Sequence, residues 1–121
     1  MIRLISRRLI IPRGDTGNFS IPLLSEYEGG TVAIFALYDT LTHETVLTKT
    51  SSITSNILSF DFVHEDTLKL EPKKYLWDII IYTNPIYDDE NKIIGGQSID
   101  SYYAAYKLPI CEIREVVYSA E

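Results

Sequence analysis

The 121-residue chain has one cysteine, Cys111, which excludes an intramolecular disulfide framework and a zinc site built on several thiolates. No apolar run approaches the roughly 20 residues of a membrane-spanning helix. The opening Met1–Pro12 has arginines at 3, 7 and 8 in place of the unbroken apolar stretch and small-residue cleavage site of a secretory signal. These absences predict a chain made in the cytoplasm, with no signal peptide and no membrane partner, and a lone free thiol fits a reducing compartment. Histidine occurs only twice. His43-Glu44 and His64-Glu65 each begin like a zinc-helix motif, but Leu47 and Leu68 stand one helical turn on, where the second ligand has to be. Basic residues are outnumbered 11 to 17, for a net charge of −6, which disfavours a nucleic-acid partner.

What is abundant favours strands. Ile, Val, Thr, Tyr, Phe and Trp make up 46 of the 121 residues, against five alanines. Branched and aromatic side chains suit a pleated, half-buried surface, whereas helices prefer Ala and straight-chain residues. At 45% hydrophobic the chain is too apolar to be disordered, and its length suits one domain spanning 1–121. Turn signals divide it into strand segments 2–11, 18–22, 31–39, 45–51, 57–63, 74–83 and 100–117. Gly14-Asp15-Thr16-Gly17 joins two glycines that tolerate positive φ to side chains that cap turns, with Asp15 accepting from the following amides. Glu28-Gly29-Gly30 makes a second turn and 39–44 a hairpin loop. Asn84-Pro85 is read as a strand end, because proline cannot donate to the ladder. The stretch from Asp88 to Gly96 is a long loop or a small hairpin, with Ile93-Ile94 folding back on Ile86-Tyr87.

Period-two alternation places Tyr75, Trp77, Ile79 and Ile81 on a core face. Leu76, Asp78, Ile80 and Tyr82 form a second, also largely apolar, face. Phe60 and Phe62 face inward in the same way. In the last segment Tyr102, Ala104, Tyr106 and Leu108 share one parity, while Cys111 and Ile113 share the other. This predicts one long strand with a bulge at Pro109-Ile110. Residues 64–71 before Pro72 have room for a single helical turn. About seven short strands with turns between them predict an all-β antiparallel sandwich.

The stretch Leu70 to Trp77 resembles the corner between the fifth and sixth strands of immunoglobulin-like sandwiches, with Pro72 before it, Tyr75 as the corner tyrosine and Trp77 where antibody domains carry a cysteine. With no cysteine pair, and no tryptophan on the third strand, it is not an antibody-type domain. Arg13 to Pro22, Val32 to Phe35, Lys74 to Ile79 and Ser101 to Arg114 together resemble small proteins of tailed phages and prophages of gram-positive gut bacteria. That group is similar to the immunoglobulin-like N-terminal module of phage baseplate upper proteins, whose corner commonly has glycine where this chain has Lys73. The resemblance implies a structural or assembly role in a virion, with other phage structural proteins as partners. It brings no catalytic residue, cofactor or metal with it, so the chain is expected not to be an enzyme.

Other candidate sites read more simply. Arg13-Gly14-Asp15 spells an integrin ligand but makes an ordinary turn. Asp88-Asp89-Glu90-Asn91 with Asp100 offers hard oxygens for calcium, yet the acids are consecutive instead of alternate, so a solvated loop is the better reading. Cys111 has no basic neighbour to activate it. Tyr102 and Tyr106 share the core parity, which leaves Tyr103 as the exposed candidate for a sugar-binding platform. Arg3, Arg7 and Arg8 precede any acid and either guard an edge strand or dock on an acidic surface, for instance loop 88–90 of another copy. The expected interface is therefore Arg3, Arg7, Arg8, Leu76, Ile80, Tyr82 and Tyr103, with homo-oligomers possible through it. A carbohydrate- or cell-surface-binding module is the alternative function.

Overall fold

A computed structural model describes residues 1–27, 29–53, 56–91, 93–103 and 109–115. The chain forms an all-β sandwich. Among the described residues the strands are β1 (Arg3–Ile5), β2 (Arg8–Pro12), β3 (Gly17–Pro22), β4 (Val32–Asp39), β5 (Glu44–Ser52), β6 (Ile57–Phe62), β7 (Lys74–Tyr87), β8 (Ile93–Ser101) and β9 (Ile110–Arg114), and a short helix, α1 (His64–Leu68), lies between β6 and β7. The large sheet runs β1-β2-β9-β7-β4-β5, with β8 also pairing β7, and the small sheet is β3-β6.

Alternation builds the core. Trp77, Ile79 and Ile81 of β7 and Phe35 and Leu37 of β4 point inward, and the small sheet answers with Phe19, Ile21, Leu58, Phe60 and Phe62. The aromatic rings meet between the layers. Phe35 and Phe62 pack edge to face at 5.5 Å, Phe35 and Phe19 at 5.7 Å, and Trp77 stacks on Phe35 at 6.3 Å. Such pairs add to area burial when ring centres lie within about 7 Å.

Several expectations are corrected. The sheet is mixed, not antiparallel, because β2 and β9 pair in parallel from Leu9↔Cys111 to Pro12↔Arg114. Tight turns force antiparallel neighbours only between strands adjacent in sequence, and these two come from opposite ends of the chain. Segment 2–11 is a hairpin of two strands, since Ser6 takes φ 56° and Ile5 pairs with Arg8. Asn84-Pro85 does not end its strand. Asn84 adopts φ 49° and the register slips between Thr83 and Ile86, so the proline sits in a bulge, where no ladder donor is required, and β7 runs on to Tyr87. Ile93 pairs with Tyr87 and makes the expected small hairpin.

The single long strand over 100–117 is also corrected. β8 ends at Ser101, and β9 begins at Ile110, so both occupy the same edge of β7, β8 along its C-terminal half and β9 along its start. The described residues therefore form nine strands. Ala104, Tyr106 and Leu108, positions 116–117, and Glu28 of the second turn lie outside the described residues. Cys111 and Ile113 are buried, as their parity requires.

Candidate functional site

The outer face of the large sheet carries the strongest concentration of candidate residues. Pairing of β4 with β7 sets Tyr38 beside Leu76, Ala36 beside Asp78 and Ile34 beside Ile80. Since the inward positions alternate with these, all six side chains point away from the core. Ala36, Tyr38, Leu76, Asp78, Ile80 and Tyr103 line a shallow depression of ≈ 360 Å³. Tyr82 lines an adjoining hollow with Ser98 and Ile99, which shares Asp78 and Ile80 with the first. Leu76, Ile80 and Tyr103 thus share one depression, and Ile80 also borders the hollow that holds Tyr82.

Asp78 anchors this face. Its carboxylate accepts from the Ser101 hydroxyl at 2.9 Å and from the Tyr103 amide at 2.8 Å, which ties the end of β8 to β7. Burial pushes its carboxyl above the usual range, and the Tyr103 and Ser101 hydrogen bonds only partly offset that. Alternation alone marks Asp78 as an outward polar residue, and its partners emerge only when the chain returns after the hairpin.

The arginines lie at the far margin of the same sheet. Arg3 is on β1, the edge strand, and Arg7 is in the β1–β2 turn, where its carbonyl accepts from the Trp77 indole at 3.2 Å. Arg8 pairs with Glu112, which Arg114 also engages at 3.1 Å. These two cations hold the Glu112 carboxyl below its ordinary value. A short edge strand bearing charge resists pairing with a foreign strand. Arg7 and Arg8 line a hollow with Ile110, the strand partner of Leu76.

The turn and corner residues serve the scaffold. Gly14 takes φ 80°, donates its amide to Thr67 Oγ1 at 2.8 Å, and offers its carbonyl to His64 Nδ1 at 2.7 Å. A carbonyl can only accept, so the His64 proton sits on Nδ1. The Asp15 carboxylate meets the Met1 amine at 3.2 Å, in place of the turn amides expected from the sequence. Gly17 needs no positive φ and opens β3 opposite Phe62. Pro72 is exposed in the loop after α1, and the Tyr75 hydroxyl donates to the Glu71 carbonyl at 2.9 Å.

Other candidates disperse. His43 turns the β4–β5 hairpin with φ 59°, its Nδ1 3.2 Å from the Tyr38 hydroxyl. Asp88 caps the β7–β8 turn, accepting the Glu90 amide at 2.9 Å, whereas Asp100 accepts from Tyr27 at 2.6 Å at the other end of β8. Among the described residues no three His, Cys, Asp or Glu side chains converge as metal ligands. Cys111 is fully buried, and burial pushes its thiol up, so little thiolate is available. Two polar pairs had no signal in the sequence, Asp39 with Lys73 and Tyr27 with Asp100, because each joins distant segments. No helix among the described residues is long and apolar enough to cross a membrane.

No protein-family model, curated protein or solved structure matches this chain.

Proposed function

We propose that this chain is a non-enzymatic structural or assembly module of a tailed-phage or prophage virion, of the tail or baseplate type, acting through protein–protein contacts. The observation that carries the contact role is the outward apolar depression of Ala36, Tyr38, Leu76, Ile80 and Tyr103 on the large sheet. Side chains of this kind on a solvated sheet face mark contact surfaces in soluble proteins. The phage setting rests on the sequence resemblance.

An immunoglobulin-like reading of the sandwich draws support from two features. β3 and β6 form one layer against β9, β7, β4 and β5 in the other. Tyr75 bonds back to Glu71 two residues before the buried Trp77, as the corner tyrosine of that fold does. On this reading the partners are other virion proteins or further copies of the chain, assembled after synthesis in the bacterial cytoplasm.

Mass spectrometry of purified particles from an induced lysogen tests the setting. Peptides of this chain at a stoichiometry comparable with tail proteins are expected. Their absence from particles and from assembly intermediates refutes it. Leu76→Asp with Ile80→Asp tests the surface, since the pair should abolish incorporation while the isolated domain still melts cooperatively.

A further inference from the structure

The strand registers set the outer face of the large sheet in rows. Arg3 lies opposite Ile10, Ile10 opposite Glu112 and Glu112 opposite Lys74, so one row crosses β1, β2, β9 and β7. The neighbours Leu4, Cys111 and Tyr75 pack on the core, which turns this row outward. Arg8 and Arg114 both engage Glu112, so cations outnumber carboxylates at this end of the face. Arg3 and Lys74 are exposed and have no ionic partner among the described residues. Apolar rows come next along β7, Leu76 beside Tyr38 and Ile80 beside Ile34, while Asp78 between them is held by Ser101 and Tyr103. At the far end the arm beyond the Asn84 bulge rises over the outer face of β4 and β5, with a cleft of ≈ 610 Å³ between them. Its tip, 88–92, has three acids and Lys92, a net charge of −2. Asp89 there is exposed and likewise has no ionic partner among the described residues.

We infer that this face is a twofold interface between two copies of the chain, with the Arg3–Lys74 row of each set against the Asp89 arm tip of the other. The inference rests on the contact reading above and names its partner. A surface that is basic at one end, apolar in the middle and acidic at the other complements itself when turned through 180°, as an isologous contact requires. The midpoint of β7 is Ile80-Ile81, so a twofold axis there reverses the rows and lays the apolar middle of one copy on that of the other. An arm that stands proud of the sheet projects towards whatever covers it, which carries Asp89 to the opposing cations. The face is large enough. Five gaps of about 4.8 Å separate β1 from β5 and the 14 residues of β7 run about 46 Å, against the ~800 Å² per partner of a standard interface.

Analytical ultracentrifugation of the full chain from about 10 µM to 1 mM tests this, and a monomer–dimer equilibrium is expected. Arg3→Glu with Lys74→Glu should raise the dimer dissociation constant about tenfold or more, and so should Asp89→Lys, since each sets like charges together. All three substitutions in one chain should restore association, because every contact then has its signs exchanged. The sites are exposed, and unchanged melting curves show that the variants fold. A chain that stays monomeric throughout, an assembly larger than a dimer, a constant that the reversals leave unmoved, or a triple variant as weak as the double overturns the inference. A strict monomer whose Leu76→Asp, Ile80→Asp variant still fails to enter particles overturns the dimer and leaves the contact role standing. A dimer that responds to the charges, with that variant incorporated normally, upholds the dimer and refutes the contact role.

Discussion

Lys73 reaches across from the corner before β7 to the end of β4, where its Nζ lies 2.8 Å from Asp39 Oδ2. The same ammonium sits 5.3 Å from the centre of the Tyr75 ring. This cation joins the corner to β4, the neighbour of β7 in the sheet.

That pair gives stability a defined pH dependence. The Lys73 hydrogen bond, then the Leu41 amide, hold the Asp39 carboxyl below the usual range. A lowered carboxyl contributes stability above its unfolded value of about 3.9 and loses it as pH falls through the folded value. The Asp39 bond holds Lys73 up, so its contribution is full below about 10.4 and lost as pH rises through the folded value. Asp39→Asn should lower the melting temperature at neutral pH and flatten the acid limb. Thermal melts from neutral to strongly acidic buffer check this, and an unchanged acid limb would show that the pair contributes nothing.

Asp78 should titrate in the opposite direction. Burial raises its carboxyl, so the folded protein keeps its proton longer than the unfolded chain. Its contribution is full below about 3.9 and lost as pH rises through the raised folded value. Carbon-detected NMR should place the Asp78 midpoint above that of an unstructured aspartate. Asp78→Asn should remove the decline in stability across that interval.

Trp77 is 1% exposed and stacks on Phe35. Trp77→Ala should cost about 3–5 kcal/mol in urea unfolding, the range for emptying a large aromatic site. Trp77→Phe keeps a ring in the core but leaves the Arg7 carbonyl without its indole donor, so it should fall between wild type and alanine. A loss under 1 kcal/mol for alanine would mean that the layers do not close on this residue.

Gly14 and Gly30 separate backbone strain from crowding. Both have left-handed φ, 80° and 86°, so alanine costs about 1 kcal/mol at either. Only at Gly14 would the added methyl also meet a neighbour, the His64 ring at 3.3 Å. Gly14→Ala should therefore be the more destabilising in parallel melts. Equal losses would show that the His64 ring moves aside freely.

The inward face of each strand was legible in the sequence, because side-chain direction alternates with every residue and needs no distant partner. Phe60, Phe62, Tyr75, Trp77, Ile79 and Ile81 all point where alternation puts them. The turn at Gly14 was legible for another local reason, since glycine tolerates the positive φ found there. The Asn84-Pro85 bulge was not, since a proline can stop a strand or sit unpaired within it, and only the continued pairing of Ile86 and Tyr87 with β8 selects the second. Nor was the cleft of ≈ 610 Å³ whose walls come from β4, β5 and the arm beyond that bulge.

Composition and alternation thus determined, unaided, an all-β chain with one aromatic-rich interior and a second, outward apolar face on β7. Tertiary structure alone decided that β2 lies parallel to β9, that Arg8 meets Glu112 and that Lys73 meets Asp39. Those choices join residues from 34 to 104 positions apart. Their hydrogen bonds and charges find partners only after the sandwich closes, so no local pattern encodes them.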